Sequence, residues 1–164
     1  MKRKLNLAIL LFLGLSVGAL HAETVAVGSP MPSYTLADQF GEEHTLAKET
    51  RYVLVVSDRE LSKQVNAWLA EKGEGYLGEQ TMEYVSDISP MPKMVTKLFA
   101  LPKMKKYPFK MLLWREDGMA DTYPRQEGRL ALFALDEDHM VTAIHYLATP
   151  ADIETQLGED ERDA

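Results

Sequence analysis

The chain has no cysteine among its 164 residues. That absence excludes disulfides, thiolate nucleophiles, CxxC redox pairs, iron–sulfur sites and cysteine-ligated zinc, so thiol chemistry is closed to it. Internal repeats and low-complexity tracts are missing too, as are GxSxG, HExxH and paired-carboxylate signatures. With 46% apolar and 26% charged residues, 10 Gly and 8 Pro, the composition is that of a folded globular domain, not of a disordered or fibrous chain.

An uninterrupted apolar run of the roughly 20 residues that cross a bilayer is also lacking. Residues 1–22 begin with Lys2, Arg3 and Lys4, continue through Leu7-Ala8-Ile9-Leu10-Leu11-Phe12-Leu13-Gly14-Leu15 and close on Gly18-Ala19-Leu20-His21-Ala22. Asn6, Gly14, Ser16, Gly18 and His21 break the run, and the pattern is that of a secretory signal peptide cut after Ala22, with a second option after Ala19. Export to a periplasm follows as the expectation, with no stable membrane anchor once the signal is removed. Losing 22 of 164 residues leaves 142, a single-domain length. The signal carries three of the 18 Lys+Arg and none of the 25 Asp+Glu, so its removal takes the net charge from −7 to −10. So acidic a chain is a poor general nucleic-acid binder.

Along the remainder, Tyr34-Thr35-Leu36 and His44-Thr45-Leu46 flank the polar turn Asp38-Gln39-Phe40-Gly41-Glu42-Glu43 and predict a hairpin. Tyr52-Val53-Leu54-Val55-Val56 is apolar without alternation, as expected of a central strand covered on both faces. Ser57 and Glu60 form a capping-box pattern ahead of Leu61, Val65, Trp68 and Leu69 at helical spacing, as far as Gly73. A second strand at Met82-Glu83-Tyr84-Val85-Ser86 precedes Asp87 or Ser89 as N-cap, Pro90 in a first turn and an apolar helical stripe of Met91, Met94, Val95, Leu98 and Phe99. Further strands are predicted at 109–114, 130–135 and 140–147, the last two joined as a hairpin through Asp136-Glu137-Asp138. A final helix opens at Thr149-Pro150-Ala151-Asp152, buries Ile153 and Leu157 and ends at Gly158, leaving 159–164 as an acidic tail on a domain of residues 23–158.

Several strings in this order carry a family likeness. Val27-Gly28-Ser29-Pro30-Met31-Pro32-Ser33-Tyr34-Thr35-Leu36 with Asp38-Gln39-Phe40-Gly41 resembles VGxxxPxFxLxDxxG, Tyr107-Pro108 resembles a Tyr/Phe-Pro before the third strand, and Arg129 ahead of Leu130-Ala131-Leu132-Phe133-Ala134-Leu135-Asp136 resembles RxxFxID. Together they resemble the peroxiredoxin-like (alkyl hydroperoxide reductase and thiol-specific antioxidant) branch of the thioredoxin superfold, and more narrowly the small exported proteins of the YtfJ type. The resemblance implies an α/β thioredoxin-like fold: a central mixed β-sheet, helices on both faces, and an N-terminal hairpin. It also implies a thiol in the loop and first helical turn after the first central strand. Here that stretch is Ser57-Asp58-Arg59-Glu60-Leu61-Ser62-Lys63, without the thiol or the Pro-Thr scaffold before it. Peroxidase and disulfide-exchange activities are refused on chemical grounds, Ser62 has no redox chemistry, and Arg129 has lost the thiolate it would serve.

Three other patterns bear on function. Gly73-Glu74-Gly75-Tyr76-Leu77-Gly78 matches GxGxxG, but a helix precedes it and a strand follows, the reverse of a dinucleotide fingerprint, and Glu74 and Glu79 would repel phosphate. No cofactor is therefore expected, including the flavin implied by the FAD/FMN dehydrogenase label that similar proteins carry. Residues 88–115 hold Lys93, Lys97, Lys103, Lys105, Lys106, Lys110 and Arg115 and no acid, inside an acidic protein. This basic edge reads either as a solvated helix face or as a site for a small anionic ligand or an acidic envelope protein. Among His44, His139 and His145 no pair has ligand spacing, and Met91, Met94, Met104 and Met111 read as core, so weak Met/His metal carriage is a minor alternative.

The expectation is thus a non-redox binding or interaction module of the cell envelope. A non-thiol enzyme at one rim is the alternative, using Ser57, Asp58, Arg59, Ser62, Tyr107 and Arg129.

Overall fold

A computed structural model describes residues 24–118 and 122–163. The address segment, residues 1–22, lies outside the described residues. Strands β1 (Thr35–Asp38) and β2 (Glu43–Thr45) form the N-terminal hairpin, paired antiparallel from Thr35↔Thr45 to Ala37↔Glu43. Then come β3 (Tyr52–Val56), α1 (Arg59–Lys72), the single turn α2 (Tyr76–Glu79) and β4 (Met82–Asp87). A helical run follows, α3 (Lys93–Val95), a π-helical turn (Thr96–Ala100) and α4 (Leu101–Met104), and then β5 (Leu112–Trp114), β6 (Leu130–Leu135), β7 (Val141–Leu147) and α5 (Ala151–Asp163).

All seven strands share one mixed sheet in the order β2-β1-β5-β4-β3-β6-β7. β3 and β4 are parallel, from Tyr52↔Met82 to Val56↔Ser86, so the chain must cross over between them, and α1 and α2 make that crossover. β6 runs antiparallel to β3 with Val55 opposite Ala131, and pairs in turn with β7. The strand β3 is buried on both faces, as its unalternating sequence predicts. Leu54, Val56, Leu130 and Leu132 meet Leu61, Val65 and Leu69 of α1, Leu77 of α2, Met104 of α4 and Ile153 and Leu157 of α5. On the opposite face Val53, Val55, Ala131 and Phe133 meet Val25, Met31 and Tyr34 of the N-terminal segment and Tyr123. Among the described residues the buried side chains of α1, α2, α4 and α5 therefore gather on one face of the sheet, and the segment holding Val25, Met31 and Tyr34 covers the other together with Tyr123.

Four local expectations are corrected. The N-cap of α1 is Asp58, not Ser57: its carboxylate accepts the amides of Glu60 and Leu61, both at 2.8 Å. The third strand begins at Leu112 instead of 109, because the buried amide of Gln39 takes the place of a neighbouring strand there. Its Nε2 donates to the Phe109 carbonyl at 2.8 Å and its Oε1 accepts from the Met111 amide at 3.0 Å. α5 does not stop at Gly158 but continues to Asp163, since a lone glycine costs a helix only about 1 kcal/mol against alanine.

The fourth correction concerns residues 88–104. Asp87 does cap a turn, accepting from the Ser89 amide and hydroxyl, but the helix starts only at Lys93. A residue preceding proline is pushed out of the helical region, and Pro92 does this to Met91. Further on, Pro102 has no N–H to give the Leu98 carbonyl, and the turn just before it is widened, with the Leu101 amide reaching back to Thr96. The late start and the wide turn rotate the predicted core stripe outward. Ala100, Leu101 and Met104 hold the run to the core, while Met94, Val95, Leu98 and Phe99 are exposed.

Candidate functional site

Parallel strands end on the same side of a sheet, and the crevice outside their carboxyl ends is where open α/β folds place ligands. β3 and β4 end here at Val56 and Asp87, and a cleft of about 410 Å³ lies at that edge. Ser57 enters it from the end of β3, Arg59, Ser62 and Asn66 from α1, and Ser86 and Asp87 from the end of β4. The remaining wall is apolar: Ile88, Pro90, Met91, Pro92, Val95 and Met104. A polar floor, buried at Asn66 and Ser86, thus faces an apolar wall, the composition usual for small-molecule and side-chain pockets.

The floor is ordered by hydrogen bonds. Tyr84, fully buried beneath it, donates its hydroxyl to Asn66 Oδ1 at 3.1 Å. Burial pushes the Tyr84 hydroxyl above its ordinary range, partly offset by the Ser86 and Ser62 hydroxyls, so it stays a neutral donor at physiological pH. Asp87 is almost wholly covered, with Arg125 3.6 Å from its Oδ2. No thiol, and therefore no thiol–disulfide couple, is available at this position.

Of the rim residues expected from sequence, Ser57, Arg59 and Ser62 line the cleft; Asp58, Tyr107 and Arg129 do not. Asp58 is engaged in capping α1, Tyr107 stacks on Phe109 with ring centroids 5.2 Å apart, and Arg129 is exposed. The Arg129 charge acts at another carboxylate. Asp152 is held below the usual carboxylate range first by the Thr149 amide and, more weakly, by Arg129. Asn66, Ser86, Asp87, Ile88, Met91, Val95 and Met104 were not foreseen as lining; the Pro-Met-Pro string at 90–92 is the one sequence signal that could have marked this wall.

The basic edge is displayed in full: Lys93, Lys97, Lys103, Lys105, Lys106 and Lys110 are all exposed. The methionines do not form one site, since Met104 and Met111 are buried in the core and Met94 is 70% exposed, against the expectation that placed it inside. Among the described residues one trio offers ligand atoms within 4.8 Å of one another, Asp38, Glu42 and His44. Its hydrogen bonds already explain it: Asp38 Oδ1 accepts the amides of Phe40, Gly41 and Glu42, and its Oδ2 lies 3.0 Å from His44 Nε2, which closes the hairpin turn. The Gly73–Gly78 string forms the connection from α1 through α2 to β4, with Gly73 at φ 93°.

No protein-family model matches the chain, and no curated protein matches it in sequence. Solved structures do match in fold. A peroxiredoxin-like protein from Aquifex aeolicus has a TM-score of 0.55 at 11% identity, covering 85% of this chain and 90% of that one. The thioredoxin domain of a thiol-disulfide oxidoreductase from Bacteroides vulgatus has a TM-score of 0.53 at 17% identity, covering 82% and 99%. Peroxidoxin BcpB from Mycobacterium tuberculosis has a TM-score of 0.54 at 16% identity, covering 82% and 95%. At these identities the likeness shows the fold alone. The chain has a thioredoxin-like fold, similar to peroxiredoxin-like and thiol-disulfide oxidoreductase structures, and carries no cysteine.

Proposed function

We propose that this chain is an exported, non-redox binding module of the cell envelope, and that its binding site is the cleft at the ends of β3 and β4. The observation that carries the reading is the cleft's lining: a polar floor of Ser57, Ser62, Asn66 and Ser86 under an apolar wall of Ile88, Met91, Val95 and Met104, with no thiol. Such a lining suits a compact apolar body with a hydrogen-bonding tip, either a small amphiphile or an aromatic or aliphatic side chain of an envelope protein. Arg59 at its edge favours an anionic tip. Size is not limiting, since an apolar cavity of about 150 Å³ already accommodates benzene. Of the residues named for an enzymatic rim, Ser57, Arg59 and Ser62 line the cleft while Asp58, Tyr107 and Arg129 are taken by capping, stacking and solvent, so the rim lacks half of its set and the binding reading is ahead of the catalytic one.

The test uses p-cresol, a ring with a hydroxyl tip, followed by thermal unfolding. At ten times its dissociation constant a ligand stabilises by about 1.4 kcal/mol, an upward shift of roughly 3–6 °C for a chain of this size. The shift is expected in the wild type and absent in Val95→Trp, which fills the cleft from a side chain already 43% exposed and so spares the fold. An equal shift in both proteins would contradict the assignment. For export, N-terminal sequencing of protein from the extracytoplasmic fraction is expected to begin at Glu23; an intact Met1 there would reject the signal.

A further inference from the structure

Among the described residues, four of the six exposed large hydrophobic side chains fall in one hexapeptide: Met94 (70%), Val95 (43%), Leu98 (55%) and Phe99 (70%). They sit at spacings of one and four residues, so they form a single outward stripe over α3 and the π-helical turn. Lys93 and Lys97 share the same run, and Lys103, Lys105 and Lys106 follow directly, all exposed. None of these five lysines has an ion pair among the described residues. From 88 to 115 there is no acid at all, in a chain whose net charge is −7. Exposed apolar area of this extent on a small domain marks an interaction surface.

We propose that residues 93–106 form a membrane-docking element, a basic amphipathic helix that lies on a bilayer surface rich in anionic headgroups. Met94, Val95, Leu98 and Phe99 would enter the headgroup–acyl boundary, and the five lysines would meet the headgroup charges around them. Two observations favour a bilayer over a protein partner. The stripe is convex: Met94 and Phe99 stand 70% exposed on a helical ridge, a shape that suits a deformable surface better than a matching groove. The charge is also uneven, since residues 88–115 hold seven of the 18 Lys+Arg and none of the 25 Asp+Glu, so the field orients the molecule with this edge toward a negative plane. Among the described residues no helix is long and apolar enough to cross a membrane. The element shares Val95 with the cleft, so its test uses Leu98, Phe99, Lys105 and Lys106, none of which lines the cleft.

The test is sedimentation with vesicles of pure phosphatidylcholine and of an equimolar phosphatidylcholine–phosphatidylglycerol mixture. Binding to the anionic vesicles is expected to exceed that to the neutral ones by about tenfold or more at low salt, and to fall by about as much at 0.5 M salt. Leu98→Ser/Phe99→Ser is expected to lose most of this binding, as is Lys105→Glu/Lys106→Glu. All four positions are exposed, so both variants should keep the wild-type melting temperature, and that melt is recorded alongside. Absence of binding to anionic vesicles, equal binding to neutral ones, or full binding by the folded Leu98→Ser/Phe99→Ser variant would each overturn the proposal. A chain that ignores vesicles but binds a synthetic Leu/Glu amphipathic helix would reassign the stripe to an acidic protein partner.

Discussion

Two aspartates show how much local geometry one carboxylate can hold. Asp58 caps α1, and the first turns of that helix carry Arg59, Ser62 and Asn66 into the cleft. Asp58→Ala is expected to destabilise the fold by about 1 kcal/mol through the lost cap, while Ser57→Ala stays within a few tenths, measured by urea denaturation. The reverse ranking would restore the capping box to Ser57. Asp38 holds the β1–β2 turn. Burial alone would raise its pKa, but His44 and the amides of Phe40, Glu42 and Gly41 outweigh that and hold it below the ordinary 3.8. A carboxylate depressed in the folded state stabilises fully above its unfolded value and loses that contribution as pH falls through the folded one. The gap in melting temperature between wild type and Asp38→Asn is therefore expected at pH 7 and should close below about pH 4. A gap unchanged between pH 7 and pH 2.5 would contradict this account of the turn.

At the scale of elements, legibility depended on whether a segment's local pattern agreed with its packing. Tyr52–Val56 and Leu130–Leu135 are unbroken apolar runs because both their faces are covered, and nothing local competes with that reading. The segment 88–104 shows the opposite case. Its apolar residues recur at helical spacing, yet Pro92 delays the helix and Pro102 removes a backbone donor, so the face predicted to be core turns to solvent. Periodicity counts residues per turn and carries no information about a widened turn. The strand at 109–114 was overextended for a related reason, since the side chain of Gln39, distant in sequence, supplies the pairing that a strand would. Only part of the cleft was visible beforehand. Ser57, Arg59 and Ser62 stand where the family resemblance expects a thiol, whereas Ser86, Ile88, Met91 and Met104 arrive from other elements through the parallel crossover, which no local string encodes.

Across the whole molecule, the thioredoxin-like sheet presents the ends of β3 and β4 and the 93–106 ridge on adjoining ground, and Val95 belongs to both. A cysteine-free chain cannot use that position for thiol–disulfide chemistry. Larger space exists elsewhere, notably a groove of about 690 Å³ bordered by Arg51, Glu137 and Asp160, but it is open and strongly charged. The central claim, that the cleft at the ends of β3 and β4 is a binding site, is tested most directly by titrating isotope-labelled protein with p-cresol and recording amide shifts by NMR. The account predicts saturable shifts clustered at Ser57, Ser62, Asn66, Ser86, Ile88 and Val95. Shifts confined to the Arg51–Asp160 groove, or none at millimolar p-cresol, would contradict it.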